Sequence, residues 1–286
     1  MKRVRWAAGL WLGLLLVALG VPGAKADGVP IPWVVYYAAE LPPTAFYGFD
    51  LVVFESDSHP PLEPLVDRRK NVIGYISLGE VNETRPYFAE VKAEGLYRGE
   101  NENWKGSHFV DVRDLRWTKR VVEELVPAIL RRGFQGIFID TLDNPGHLER
   151  TDPKANAGMI EAAARLVRTL RRNFPRMIIV LNRGYELLPN VERDIDMVLG
   201  ESVYADYDFA TKKYTRVDEP TYRQQVALLQ AAARRQPKLK VLTLDYWDPS
   251  DAAGIAEIYR VQLANGFSTY VATVELDRLV PGPKKQ

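Results

Sequence analysis

Hydrophobic and polar positions along this chain alternate in two periods. From residue 27 to the C-terminus, short runs rich in β-branched and aromatic residues are each followed by a longer segment with apolar positions every three or four residues. The runs predict eight strands: Trp33–Tyr37, Leu51–Phe54, Asn71–Ser77, Gly136–Asp140, Met177–Asn182, Met197–Glu201, Lys240–Asp245 and Ser268–Ala272. Between them, sets such as Val121, Leu125 and Ile129, or Tyr222, Val226, Leu229 and Ala233, put one apolar stripe on each helix, enough to cover a sheet. Asp152 before Pro153 is read as the start of the helix after the fourth strand. Ser250 is read as the cap of the helix after the seventh, and Gly266 as the end of the last.

A strand such as Met177-Ile178-Ile179-Val180-Leu181 is apolar on both faces, as parallel strands covered by helices are. Eight strand–helix units in a row favour a single closed (β/α)8 barrel over residues 27–286, a TIM barrel of the α/β class. The rival, an open doubly wound sheet, needs a glycine-rich nucleotide loop after its first strand, and Tyr37-Ala38-Ala39-Glu40 has no glycine. The stretch from Ser77 to Gly136 is long for one connection. It reads as an elaborated loop with a short extra strand near Phe109-Val110-Asp111.

Composition narrows the setting. Residues 1–26 read as a cleavable signal peptide: Lys2, Arg3 and Arg5 precede an apolar run from Ala7 to Leu19, and Ala24-Lys25-Ala26 is a small-x-small cleavage site. Spanning a membrane takes about 20 apolar residues, and this run is shorter. Cleavage removes four cationic side chains and no acid, moving the formal charge from +1 to −3, so the mature protein is expected to be secreted or periplasmic, mildly acidic and monomeric. Cysteine is absent, which excludes disulfides, thiolate metal sites and a cysteine nucleophile. Near-balanced charge without a long basic run gives no footprint for nucleic acid. His59, His108 and His147 share no ligand spacing, so neither a metal nor another cofactor is expected.

A barrel of this kind places its active site at the C-terminal ends of the strands. Those ends are acidic here: Glu80 after the third strand, Asp140 and Asp143 at the fourth, Glu201 at the sixth, Asp245 at the seventh. An acid at a strand end also serves as a helix N-cap, and the spacing of Asp143 fits that role equally well. Asp140 ends the run Gly-Ile-Phe-Ile-Asp, and Glu201 ends Met-Val-Leu-Gly-Glu. A charge at the end of an apolar strand is costly unless the carboxylate is used or firmly hydrogen-bonded. Two carboxylates in one barrel mouth suit glycoside hydrolysis. Tyr36, Tyr37, Tyr75, Tyr204, Tyr207, Tyr246 and Trp247 lie at or beside strand ends, where rings stack on sugars; packing is the competing role, above all for Tyr75 inside its strand. Asn182 ends the fifth strand and is placed to bond a substrate hydroxyl or start a helix. Ser77 and Ser202 lie near the acids, but no histidine is placed by sequence as their base.

Four motifs carry a resemblance. Gly74-Tyr75-Ile76-Ser77-Leu78-Gly79-Glu80, Gly133-Phe134-Gln135-Gly136-Ile137-Phe138-Ile139-Asp140-Thr141-Leu142-Asp143, Gly200-Glu201-Ser202 and Val241-Leu242-Thr243-Leu244-Asp245-Tyr246 resemble, in order, glycoside hydrolase family 114, the endo-α-1,4-polygalactosaminidases and their relatives. The resemblance implies an exported endo-acting barrel that cleaves α-1,4-linked polymers of galactosamine or N-acetylgalactosamine. It implies Asp140 and Glu201 as the catalytic pair, with Asp140 as nucleophile and Glu201 as acid/base by analogy with α-specific retaining barrels. Tyr36, Glu80, Asp143, Asn182, Tyr204, Asp245 and Tyr246 are the expected substrate contacts, and the acids among them would attract the ammonium groups of a partly deacetylated amino sugar. Relatives often carry an acid two residues after the third-strand Glu, where this chain has Asn82. The alternative is a non-catalytic barrel that binds exopolysaccharide at a cell surface. A third reading, a deacetylase, needs a metal.

Overall fold

A computed structural model describes residues 29–283. The expected signal peptide, residues 1–26, lies outside the described residues. Thirteen strands occur in chain order: β1 (Trp33–Tyr36), β2 (Leu51–Glu55), β3 (Asn71–Ser77), β4 (Glu80–Asn82), β5 (Tyr97–Glu100), β6 (Ser107–Val110), β7 (Gly136–Asp140), β8 (Ile178–Asn182), β9 (Met197–Glu201), β10 (Ala205–Asp208), β11 (Lys213–Arg216), β12 (Lys240–Tyr246) and β13 (Ser268–Ala272).

Eight of these form one all-parallel sheet in the order β1-β2-β3-β7-β8-β9-β12-β13, and they are the eight runs read from the sequence to within one residue at each end. The sheet curls into a nearly closed TIM barrel with helices between its strands. No ladder joins β1 to β13. Their seam is held by the Trp33 indole donating to the Ser268 carbonyl at 2.9 Å, the Ile31 N–H donating to Ser268 Oγ at 2.9 Å, and Trp33 packing edge-on against Tyr270. Alternate residues face into the barrel or out toward the helices, and both sets are buried, which is why the strands carry apolar residues at successive positions.

The helix expected from Val121, Leu125 and Ile129 runs through Leu115–Arg131, with a wider π turn over Val121–Leu125. Pro127 lies just past that turn, and its missing N–H removes one bond of the helical ladder. Two helix boundaries differ from expectation. Asp152 closes the helix Asn144–Thr151; its carboxylate accepts from the Lys154 and Ala155 N–H groups in the turn holding Pro153, and the following helix Met159–Asn173 begins after Gly158. The helix Ala252–Ala264 is capped by Asp251, which accepts from the Gly254 N–H, while Ser250 bonds to Asp248. Gly266 does end that helix, with φ at +85°.

Two insertions stand on the C-terminal rim. The long connection after β3 folds into an antiparallel sheet in the order β4-β6-β5, with β6 where the extra strand is expected. The connection after β9 forms the β10–β11 hairpin.

Candidate active site

The third, fourth, fifth and sixth barrel strands build the floor of the site. Along β3, Tyr75 and Ser77 share a face, and the register sets Tyr75 beside Phe138 and Ser77 beside Asp140. Asp140, Asn182 and Glu201 are the last residues of three neighbouring strands. The residue after each is left-handed without being glycine: Thr141 at φ +66°, Arg183 at +52° and Ser202 at +53°. Such a backbone costs on the order of 1–3 kcal/mol per residue and persists only where its surroundings fix it.

The fixing contacts are specific. Thr141 Oγ1 accepts from the Gly79 N–H at 2.9 Å and shares a 2.8 Å hydrogen bond with Ser77 Oγ. The Leu78 N–H donates to the Asp140 carbonyl at 3.1 Å. A Cβ on Gly79 would overlap the Thr141 carbonyl oxygen, so the Ser77–Glu80 turn closes on Asp140 only with glycine there. The Arg183 N–H donates to Leu199 O and the Ser202 N–H to Leu244 O, each at 2.8 Å. Gln225, on the helix Glu219–Arg235, donates to the Ser202 carbonyl at 3.0 Å.

These strand ends bring Asp140 and Glu201 together. The Asn182 side-chain amide donates to Asp140 Oδ1 at 2.9 Å and to Glu201 Oε2 at 2.7 Å. Two oxygens bonded to one nitrogen cannot be further apart than the sum of those lengths, about 5.6 Å. The outer oxygen of each acid meets a phenol: Tyr75 donates to Asp140 Oδ2 at 2.9 Å and Tyr246 to Glu201 Oε1 at 2.5 Å. Burial first, then the facing carboxylate charge, pushes both hydroxyls well above the ordinary tyrosine range, so each remains a donor. Asp140 is pushed up to about 7, first by burial and second by the Glu201 charge, against the opposing bonds from Asn182 and Tyr75. Asn182 Oδ1 is buried without a partner among the described residues.

The pair opens into a cavity of about 740 Å³. Six carboxylates line it (Glu55, Glu80, Asp140, Glu201, Asp206 and Glu275) against two guanidinium groups, Arg85 and Arg183. Arg85 is committed to Glu55, which it meets with two bonds of 2.8 and 3.0 Å. Glu80 is held by Asn101 at 2.9 Å and Asn144 at 3.0 Å; burial raises its pKa while these bonds oppose the shift.

Of the expected contacts, Glu80, Asn182 and Tyr246 line this cavity with the acid pair. Asp143 borders a second cavity of about 370 Å³ beside it, 3.7 Å from the Arg183 guanidinium; it stands at the N-cap position of the helix Asn144–Thr151, but its side chain makes no cap bond. Three are turned away. Tyr36 faces outward against Phe46 and Phe54, its hydroxyl bonded to Glu40, because the next residue, Tyr37, takes the inward direction. Tyr204 packs on Tyr222 and under Arg216. Asp245 lies behind the barrel wall, where the N–H groups of Tyr204 and Ala205 and the Gln262 amide donate to it. Its neighbour Tyr246 has the opposite strand parity and reaches Glu201.

Tyr75, the aromatic for which packing is the strongest competing role in the sequence, bonds the catalytic candidate Asp140; its parity with Ser77 at the end of β3 is the signal that finds it. Asn101, Trp104, Asn144, Asp206, Phe209 and Glu275 also line the cavity, and most of them come from the insertions and loops. Asn82 lines it as well, but its amide oxygen is used locally by Thr84. Of the histidines, His59 packs against Phe134, His108 sits among Phe88, Tyr97 and Glu83, and His147 borders the second cavity.

The model of glycoside-hydrolase family GH114 matches residues 24–286. The chain belongs to this family and is a glycoside hydrolase, so its substrate is a polysaccharide. The motifs at the ends of β3, β7, β9 and β12 resemble the same family. Among solved structures, the glycoside hydrolase domain of PelA from Pseudomonas aeruginosa is similar at 25% identity and a TM-score of 0.76, covering 88% of this chain and 98% of that one. Ega3 of Aspergillus fumigatus, solved in complex with galactosamine, shares the fold at 15% identity and a TM-score of 0.68, covering 92% of this chain and 99% of that one. An α-galactosidase from Thermus thermophilus, solved with stachyose, shares it at 11% identity and a TM-score of 0.53, covering 89% of this chain and 63% of that one. No curated protein matches the chain. No helix among the described residues is long and apolar enough to cross a membrane.

Proposed function

We propose that this glycoside hydrolase cuts within α-1,4-linked polymers of galactosamine or N-acetylgalactosamine, with retention at the anomeric carbon, through Asp140 and Glu201. The observation that carries the chemistry is the Asn182 amide bonded to both acids. Their facing oxygens lie within about 5.6 Å and share one donor, a closeness that supports the retaining arrangement, in which one carboxylate attacks directly, over the wider one that leaves room for an attacking water. Asp140 is the nucleophile. Its attack on the anomeric carbon expels the leaving oxygen, which takes a proton from Glu201; water, deprotonated by Glu201, then releases the sugar from Asp140.

Burial favours the proton on Asp140. A cationic amino sugar, and the positive charge that grows on the ring in the transition state, lower the cost of an ionised Asp140 and leave the shared proton to Glu201. Tyr75 and Asn182 hold the Asp140 carboxylate oxygens, and Tyr246 and Asn182 those of Glu201.

The substrate class rests on charge. Six carboxylates against two guanidinium groups make a cleft that attracts ammonium groups, whereas a neutral glycan gains nothing from that field. The galactosamine bound in Ega3 is consistent with this reading. Glu80 is the best-placed ammonium acceptor, because Asn101 and Asn144 fix its orientation at the cavity wall. The enzyme acts as a monomer after export to the periplasm or medium, free of the membrane once its leader is removed.

The test is incubation with α-1,4-galactosamine polymers of graded acetylation, with products read by mass. The expected result is oligosaccharide release that rises with the fraction of free amine. Equal turnover of fully acetylated and deacetylated polymer would remove the charge argument, and binding with no reducing ends released from any glycan would favour a non-catalytic barrel.

A further inference from the structure

The two rim insertions meet above the cleft. Trp104 sits at the tip of the β5–β6 turn and Phe209 at the tip of the β10–β11 hairpin; they are 52% and 59% exposed, yet their ring centroids are 5.6 Å apart with planes at 89°. One insertion follows β3 and the other follows β9, so the contact reaches across β7 and β8, the strands that end in Asp140 and Asn182. Both tips are braced. Phe209 rests on Tyr207 and Tyr207 on Tyr214, at 5.1 and 5.0 Å, and the Asp208 carboxylate accepts from Ala210 and Thr211. On the other side, the Trp104 N–H donates to Asn101 O and the Ser107 N–H to Trp104 O, each at 3.0 Å.

The tip that carries Trp104 also divides the space below. Trp104 lines the 740 Å³ cavity, Asn103 lines the 370 Å³ cavity, and Asn101 lines both. Asn144 and Arg183 are likewise common to the two. The cavities therefore adjoin along a border of three polar side chains. Beyond it the second cavity offers Asp143, His147 and Glu186, and the tip above the border carries an apolar ring. Polar groups at the edges and an aromatic face above match a sugar ring, whose hydroxyls lie around its rim and whose faces are apolar.

We propose that Trp104 and Phe209 form a clasp over the bound polymer: the chain passes from the main cavity, beneath the two rings and across Asn101, Asn144 and Arg183, into the second cavity, which holds sugar units beyond the reacting ones. This rests on the polymer-cleaving reading above. A long chain enters such a passage when the clasp opens, whereas a short oligosaccharide also threads through it closed.

The absence of cysteine makes the clasp testable. In the double variant Trp104→Cys/Phe209→Cys the two thiols are the only ones, and a short bis-maleimide joins the tips. The rate of the linked protein is compared with that of the same protein before linking, on a long polymer and on short oligosaccharides of one glycan that the wild type cleaves. The expected result is a loss of about tenfold or more on the long polymer, with short oligosaccharides cleaved within about twofold of the unlinked rate. Equal rates on the long polymer before and after linking would overturn the clasp, as would an equal loss on both lengths. The wild-type product pattern on the graded galactosamine polymers judges the substrate reading by itself. The linked-to-unlinked ratio, taken on whichever glycan is cleaved, judges the clasp.

Discussion

Two neighbourhoods of this barrel hold carboxylates at strand ends, and only one of them opens onto the cavity. On the floor, Asp140 and Glu201 are held by Asn182, Tyr75 and Tyr246, side chains that line the open cavity. Behind β12, Asp245 is held by two backbone N–H groups and by Gln262, all in the wall. Burial drives both kinds of acid up, Asp140 to about 7 and Asp245 to about 6, so a raised pKa does not separate them. Orientation does. Asp245 stitches the chain after β9 to the helix Ala252–Ala264, whereas the floor acids leave faces free for a ligand.

The sharpest way to break this contrast is substitution on the two sides. Asp140→Asn and Glu201→Gln are each expected to lower kcat by about 10³-fold or more with an unchanged circular-dichroism spectrum, the scale on which a nucleophile or general acid acts. Asp245→Asn should leave kcat within about threefold and lower Tm by several degrees, because its amide would point N–H atoms at existing donors, a mismatch of about 1–3 kcal/mol. Large activity loss in the Asp245 variant at an unaltered Tm would dissolve the distinction.

Next in size is the bridge. Asn182→Ala should reduce kcat by about 10²-fold through loss of position. Wild-type kcat/KM should decline on the alkaline side as the proton that burial holds on Asp140 is lost near pH 7, and since the Asn182 bond lowers the Asp140 pKa, its removal should move that limb to higher pH. A lower rate with an unmoved limb would make Asn182 a packing residue only. Tyr75→Phe deletes a weaker donor to the same acid, and a loss of about tenfold with a smaller shift in the same direction is expected.

The smallest effect is on stability. The folded Asp140 pKa is raised above its unfolded value near 4, so its contribution is fully present at low pH and is lost as pH rises from about 4 to about 7. Asp140→Asn should therefore melt a few degrees higher than wild type at pH 8 and close to it at pH 4, and thermal melts at both values measure the difference.

The eight strands were legible because each is a short apolar run whose two faces are both covered. Asp140 and Glu201 were legible as acids that end such runs. Asp245 gave the same signal with the wrong parity, and Tyr36 and Tyr204 gave the aromatic signal while facing outward. Alternation along β12 separates Asp245 from Tyr246, and alternation along β3, with Ser77 set beside Asp140, recovers Tyr75. Trp104, Asn101 and Phe209 were not legible, because they reach the site from turns whose placement depends on how two insertions fold back over the mouth. Ser250 misplaced a helix start because the adjacent Asp251 takes the cap, and Asp152 did so because its carboxylate closes the turn holding Pro153 rather than capping the helix that begins at Met159.

Chemical rescue tests the catalytic pair most directly. Asp140→Ala, incubated with azide and a polymer that the wild type cleaves, is expected to recover cleavage and yield a reducing-end β-glycosyl azide, while Glu201→Ala yields the α-azide; NMR coupling at the anomeric proton reads the difference. No rescue in either variant, or the two anomers exchanged between them, would contradict the account.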